Sequence, residues 1–408
     1  MTIRIYKNIL KTLVLTTVFF AVSANADEPK NDAFKQLENI RAEQLNNATN
    51  DNIESFYLLY GLAYDSDDII TNGKYLYHQI LNLQNVTDEE KEIFSKNIRG
   101  SYPALPEVPE QLHSTVFCTL TQKECFKDFI KEHWQSLTND NQKFITRYKL
   151  FLNKPPAVYL DKTYFPSYTY IALLRTQRLW HLELLQLNDK EKIRKELTRE
   201  LSILKNQLKH SSDFLQKLRI NWLIQNNLQV IIFSNRYLSI NFDAINYLTT
   251  DEKSLELPLA YEFMFHKSLM EKQIEKMTFN DYKHIDTYNG IANYFVNQIG
   301  ISEKSENEIG KYQITYQQEE YLIKINEEDN FTGFQLANSG MINYADYIQE
   351  LNETNNIINI TNYILTNDKK HLKDVFGLND DKIELGDDEI CILIPKPRRN
   401  ETKNCVYL

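Results

Sequence analysis

Glycine is scarce in this chain: 10 residues in 408, against an average of roughly 7%. None falls between Ser101 and Asn289. Dinucleotide-binding folds, phosphate-cradling loops and two-residue hairpins need glycine for positive φ or close backbone approach. That stretch therefore excludes them. Proline is also thin, with Pro258 the sole example from Ser167 to Ile394, so long helices can run there unbroken. No G-x-S-x-G and no H-E-x-x-H occurs, which removes the common sequence signatures of serine hydrolases and zinc peptidases. No catalytic, cofactor-binding or metal-ligating residue is expected.

The N-terminus is where an address is legible. Arg4, Lys7 and Lys11 form a basic start, and Leu13 to Val22 an apolar run. Ala24-Asn25-Ala26 then offers the small-x-small pattern read by signal peptidase. The run is too short to span a bilayer, which takes about 20 residues. The expectation is a signal peptide over 1–26, cleavage after Ala26, and a periplasmic mature chain beginning at Asp27 with no integral membrane segment. Removing those three basic residues from the 46 Lys and Arg leaves 43 against 56 Asp and Glu, a net charge of −13. Such a balance opposes nucleic acid, whose affinity for proteins comes from basic residues neutralising phosphates.

Four cysteines follow the leader: Cys118, Cys125, Cys391 and Cys405. An even count in an exported chain fits two disulfides. Local pairing is favoured. Thr121-Gln122-Lys123-Glu124 reads as a capping box that would bring Cys125 near Cys118. Glu389 to Ile394 and Asn404 to Leu408 read as strands of a terminal hairpin, with Cys391 facing Cys405. Neither spacing suits a four-cysteine zinc site.

Between these ends the pattern is helical. Asp32 to Asn46, Ile53 to Tyr64 and Ile69 to Leu83 read as helices, and Phe56, Tyr57, Tyr60 and Tyr64 share one face of the second. Thr87-Asp88-Glu89-Glu90 opens a further helix. Pro103, Pro106 and Pro109 recur every third residue, as in an extended connector. Long helices follow from Thr121 to about Met277, with breaks at Asn153-Lys154-Pro155-Pro156, Pro166, Asn188-Asp189 and near Asp251. Ile193, Leu197, Leu201, Leu204 and Leu208 form one apolar stripe, and Phe214, Leu218 and Trp222 continue it. Val230 to Phe233 reads as buried helix. Gly290, Gly300 and Gly310 are expected at helix ends in the left-handed conformation. The organisation expected is a helical region over 27–100, a Pro-containing linker over 101–110, a central helical domain over 111–300, and a C-terminal helical region ending in a β-hairpin over 301–408. The fold class is mostly α: a multi-helix array or stacked helical hairpins with a small disulfide-clipped C-terminal hairpin.

Charge is uneven, with net +4 from Asp189 to Ile220 and net −8 from Glu303 to Glu353; both read mainly as solvated helix faces. Trp180-His181-Leu182-Glu183 holds a histidine and a carboxylate, but positions two apart on a helix do not meet, so His181 is placed at the core edge or surface. Asp65-Ser66-Asp67-Asp68 lacks the glycine and distal glutamate of a calcium loop and reads as a helix start. The candidate recognition patch is the aromatic group Tyr159, Tyr164, Phe165, Tyr168 and Tyr170, since tyrosine joins apolar area to a polar tip. A second is the basic hairpin tip, with Lys396, Arg398 and Arg399. The functional expectation is an exported binding or interaction protein, immunity-like or a scaffold, whose partner is another envelope protein. The alternative is an exported helical hydrolase acting on a cell-wall or lipid substrate.

Overall fold

A computed structural model describes residues 29–62, 67–82, 131–160, 167–274, 282–315, 323–326, 330–338, 344–377, 383–387, 389–398 and 401–407. The helices are α1 (Asp32–Asn46), α2 (Asn50–Gly61), α3 (Ile69–Asn82), α4 (Lys131–Asp140), α5 (Gln142–Asn153), α6 (Ser167–Leu185) and α7 (Lys190–Lys209). They continue as α8 (Phe214–Leu238), α9 (Thr250–Lys253), α10 (Glu256–Ile274), α11 (His284–Ser302), α12 (Glu306–Thr315), α13 (Phe331–Asn338) and α14 (Tyr344–Thr366). A short antiparallel sheet closes the chain: β1 (Ile383–Leu385), β2 (Glu389–Arg398) and β3 (Glu401–Tyr407), in the order β1-β2-β3.

Most starts and stops follow local chemistry. Asn31, Asp189 and Asp213 cap α1, α7 and α8 by accepting backbone N–H groups of the first turn. Thr49 with Asn52, and Thr249 with Glu252, form reciprocal capping boxes. Asp68 likewise accepts from the Thr71 backbone at the start of α3, as a helix-start aspartate should. Pro258 sits in the first turn of α10, where its missing N–H costs nothing. Helix ends depart from the glycine expectation. Gly290 and Gly300 lie inside α11 and Gly310 inside α12. The left-handed stops among the described residues are Ser239 after α8 (φ 52°) and Asn367 after α14 (φ 54°), with Gly377 (φ 64°) beyond. Gly290 serves packing instead, since a Cβ there would press on Ile325 and Ile323.

Successive helices pair: α2 with α3, α5 with α6, α7 with α8, and α10 with α11. The α2–α3 pair is tight because both helices present glycine at the crossing. A Cβ on Gly61 would overlap the Ile69 carbonyl, and one on Gly73 the Tyr57 carbonyl. The stripe Ile193, Leu197, Leu201, Leu204 and Leu208 is buried as expected, and so are Phe56, Tyr57 and Tyr60. Helix α1 packs on α10 and α11, while α14 packs on α8, α11 and α12 and carries the sheet. Elements from the N-terminal, central and C-terminal parts of the sequence thus share one apolar core.

Helices α8 and α14 lie at the centre and are buried on nearly all sides, yet α14 is rich in asparagine. Those side chains substitute for missing backbone pairing. Asn362 accepts from the Ile245 N–H (2.6 Å) and donates to the Ile245 carbonyl (2.8 Å). Asn355 does the same for Leu248 (2.7 and 3.3 Å). The non-helical stretch after Ser239 therefore lies along α14 with its polar groups held, the break falling before Asp251. On another flank Asn356 accepts from the Val375 N–H and donates to Asp374, and Asn359 donates to the Lys373 carbonyl. A buried amide is tolerated only when paired, and here each pairing positions a connecting segment.

In the sheet, Cys391 and Cys405 are register partners on β2 and β3 and form a disulfide, with Cα atoms 4.1 Å apart. The hairpin expectation holds, and β1 adds a third strand. Register breaks between Leu393 and Arg398, around Pro395 and Pro397, because proline cannot donate to a ladder. Cys118, Cys125, the 87–98 helix and the 101–110 connector lie outside the described residues.

Replacing Asn355 with Leu keeps the volume but strands the buried Leu248 N–H, at about 1–3 kcal/mol plus the loss of the second bond. Urea denaturation should show Asn355→Leu destabilised by about 2–4 kcal/mol. A change below about 0.5 kcal/mol would show that the clamp is idle.

Candidate functional site

The aromatic patch read from sequence is divided by the fold. Tyr159 is fully buried, its ring edge-on to Phe56 (5.1 Å) and Tyr261 (5.7 Å). Its carbonyl accepts from the Arg41 guanidinium. This corrects its place in a recognition surface: apolar packing at the helix corner claims the ring. Tyr164 and Phe165 lie outside the described residues, and Tyr168 and Tyr170 fall in the first turn of α6. Lys396 and Arg398 occupy the distal part of β2, where the hairpin turns; Arg399 is outside the described residues.

His181 also needs correction. It does not meet Glu183, as expected, since Glu183 pairs on the outside with Lys149 (2.5 Å) and Gln142 (3.1 Å). But His181 is completely buried, and its Nε2 lies 2.7 Å from Oε2 of Glu200, itself completely buried. Asn227 donates to the same oxygen (2.5 Å), while Tyr148 (2.5 Å) and Gln177 (2.8 Å) donate to Oε1. Three donors and the imidazole nitrogen thus surround the two carboxyl oxygens. The donors come from α5, α6 and α8 and the acceptor from α7. Both side chains are closed off from solvent, and the group ties four helices together. Arg178, also buried, donates to Gln229 (2.9 Å). Burial draws its guanidinium down to about 10, against the favourable field of Glu200.

A second histidine–carboxylate pair differs in every respect. Glu262 and His266 lie one turn apart on α10, His266 Nε2 3.8 Å from Glu262 Oε1, with side chains 16% and 17% exposed. Among the described residues neither makes a hydrogen bond; the 3.8 Å approach is too long for one. Where α14 begins, Tyr344 is 1% exposed, and its hydroxyl is one of several buried polar atoms without a hydrogen-bond partner among the described residues. Aromatic rings link it to His266. Tyr344 packs edge-on against Phe214 (5.3 Å) and Phe295 (5.7 Å), Phe214 against Tyr347 (4.4 Å), and His266 against Phe295 (6.0 Å). Burial first, then the charge of Asp213, pushes the Glu262 carboxyl up to about 8. Burial draws His266 down to about 4. Burial, and next the field of Glu262, raises the Tyr344 phenol well above its ordinary value. At neutral pH this cluster thus holds a neutral acid, a neutral imidazole and a neutral phenol.

The signal for this pair was present in the sequence as Glu262-x₃-His266, a spacing that stacks two side chains on one helix face. Tyr344 and Phe214 carry no such local mark, and Glu200 lies 19 residues from His181 across a helix boundary. Elsewhere, Glu389, Cys391 and Cys405 bring a carboxylate and two sulfurs within 4.8 Å of one another. The disulfide leaves no thiolate for a metal there. Among the described residues, no helix is long and apolar enough to cross a membrane. No protein-family model, curated protein or solved structure matches this chain.

The raised Glu262 carboxyl has a definite linkage. In the unfolded chain it ionises near pH 4.5, in the folded protein near 8, so between these values folding takes up a proton and the native state loses stability as pH rises. Glu262→Gln, an isostere of the neutral acid, should match wild type near pH 4.5. It should then exceed it in thermal stability by a margin that grows to pH 8 and levels off. Melting curves across pH 4.5–9 check this; a margin independent of pH would contradict it.

Proposed function

We propose that this chain is an exported, disulfide-clipped helical binding protein that works in the periplasm on another envelope component. The observation that carries the proposal is the Cys391–Cys405 bridge at matched register across β2 and β3, behind a leader-like N-terminus. Disulfides persist in oxidising compartments and are rare in reducing ones. The net charge of −13 after leader removal suits a partner surface that is basic or neutral rather than polyanionic.

Binding rather than hydrolysis is favoured by the protonation states of Glu262 and His266. A general base works best with a pKa near the working pH. Glu262 keeps its proton to about pH 8, and His266 accepts one only near pH 4, so neither is set to activate water at neutrality. The sealed His181–Glu200 pair is further still from a substrate. An immunity-like partner or a scaffold remains the functional class.

Three readings of one preparation test this. The protein recovered from the periplasmic fraction should begin at Asp27, show the Cys391–Cys405 linkage in non-reducing peptide mapping, and retain a specific envelope protein after crosslinking at low salt. Retention of the leader in a cytoplasmic fraction, or no specific crosslinked partner, overturns the proposal.

A further inference from the structure

The two faces of the terminal sheet carry different chemistry. Side chains alternate across a strand, and Ile390 and Ile392 of β2, with Val406 of β3, join the apolar core. Glu389 and Cys391 fall on the other face, and register pairing puts Cys405 of β3 and Glu384 of β1 there as well. The ligand atoms of Glu389, Cys391 and Cys405 all lie within 4.8 Å of one another. Among the described residues, no other three His, Cys, Asp or Glu side chains converge in this way. Cys391 is buried, while Cys405 and Glu389 are partly open to solvent.

With the bridge closed the sulfurs are not ligands, since it is the thiolate that binds metal. Opening the bridge changes that. A dithiol reductant passes two electrons and two protons to it, giving two thiols, and leaves as its own disulfide. A divalent cation then displaces both thiol protons and takes two thiolates and one carboxylate. Ligand atoms around a tetrahedral zinc ion, with bonds of about 2.0–2.3 Å, lie about 3.5–3.8 Å apart, within the span of this group. Two sulfurs select a thiophilic ion over calcium or magnesium, which take oxygen.

The surroundings suit a cation. Lys403, two residues before Cys405, is paired with Glu384 (2.8 Å), which offsets its charge. The Glu389 carboxylate has no ion-pair partner among the described residues. The turn before it holds its backbone in place, with the Gly386 N–H donating to the Glu389 carbonyl (2.8 Å). We propose that the β2–β3 hairpin is a redox-gated metal site: with Cys391–Cys405 reduced, the two thiolates and the Glu389 carboxylate bind a thiophilic divalent cation such as zinc, and reoxidation expels it. In the expulsion a disulfide oxidant takes up two electrons and two protons, the bridge re-forms, and the metal leaves as the free ion. The inference goes beyond the binding role above and does not rest on it. A reducing compartment favours the metal form and an oxidising one the bridge.

Zinc and cobalt(II) titrations of the full chain, oxidised and after reduction with a phosphine under anaerobic conditions, test the site. Reduced wild type should bind one equivalent more than reduced Cys391→Ser/Cys405→Ser. Reduced Cys118→Ser/Cys125→Ser should bind one more than its own oxidised form, with cobalt showing thiolate charge-transfer and four-coordinate ligand-field bands. Glu389→Gln should weaken that equivalent by about tenfold or more, since even an outer partner of a metal ligand is worth as much. Bound zinc should slow re-formation of the bridge by oxidised glutathione severalfold, followed by thiol alkylation and mass spectrometry. No difference in either comparison, full affinity in Glu389→Gln, or reoxidation unchanged by zinc overturns the proposal.

Discussion

One buried carboxylate organises the middle of this protein. Glu200 sits on α7 with no solvent contact, accepts hydrogen bonds from Tyr148, Gln177 and Asn227, and lies in hydrogen-bond contact with the His181 ring. Stripping water from a charge costs several kcal/mol, and only a complete set of donors offsets that. The donors are correct only when α5, α6 and α8 all stand at one distance and rotation around α7. An apolar core tolerates sliding and repacking among similar shapes; a carboxylate with four partners does not. The leucine stripe of α7 supplies the drive to pack, and Glu200 selects the register.

From that centre a chain of amides continues outward. Asn221 and Gln225 of α8 meet Thr354 of α14 (2.9 and 3.0 Å). On α14, Asn355 and Asn362 hold the 245–248 stretch, and Asn352 accepts from the buried Lys253 ammonium, which also pairs with Glu306. Asn356 and Asn359 fix the 373–375 segment that leads to the sheet. The long glycine-free tract is compatible with irregular connections because these side chains, rather than glycine-dependent turns, satisfy the backbone.

Much of the fold was legible in the sequence. The 15 residues of α1, the α7 stripe, the helical reading of Val230 to Phe233 and the Cys391–Cys405 hairpin follow from periodicity, capping and strand pairing. Other features were hidden for physical reasons. Gly290 sits mid-helix because a close neighbour outweighs propensity, Gly310 also falls inside a helix, and Ser239 and Asn367 took the left-handed stops that glycine usually fills. Buried polar pairing is non-local: nothing in Trp180-His181-Leu182-Glu183 points to Glu200, and asparagines at positions 355 and 362 look like surface residues until their backbone partners are known. Of the candidate site, only the Glu262-x₃-His266 spacing could be read directly. Tyr159 was misplaced because an aromatic cluster in sequence does not reveal which rings face inward.

If Glu200 couples four helices, two donors that meet only through it must be energetically linked. Tyr148 on α5 and Asn227 on α8 bond to opposite oxygens of that carboxylate, so a double-mutant cycle with Tyr148→Phe and Asn227→Leu isolates their coupling. The account predicts a non-additive result of about 1–3 kcal/mol in urea unfolding. Additivity within about 0.5 kcal/mol would contradict it, leaving Glu200 a bystander in an apolar core.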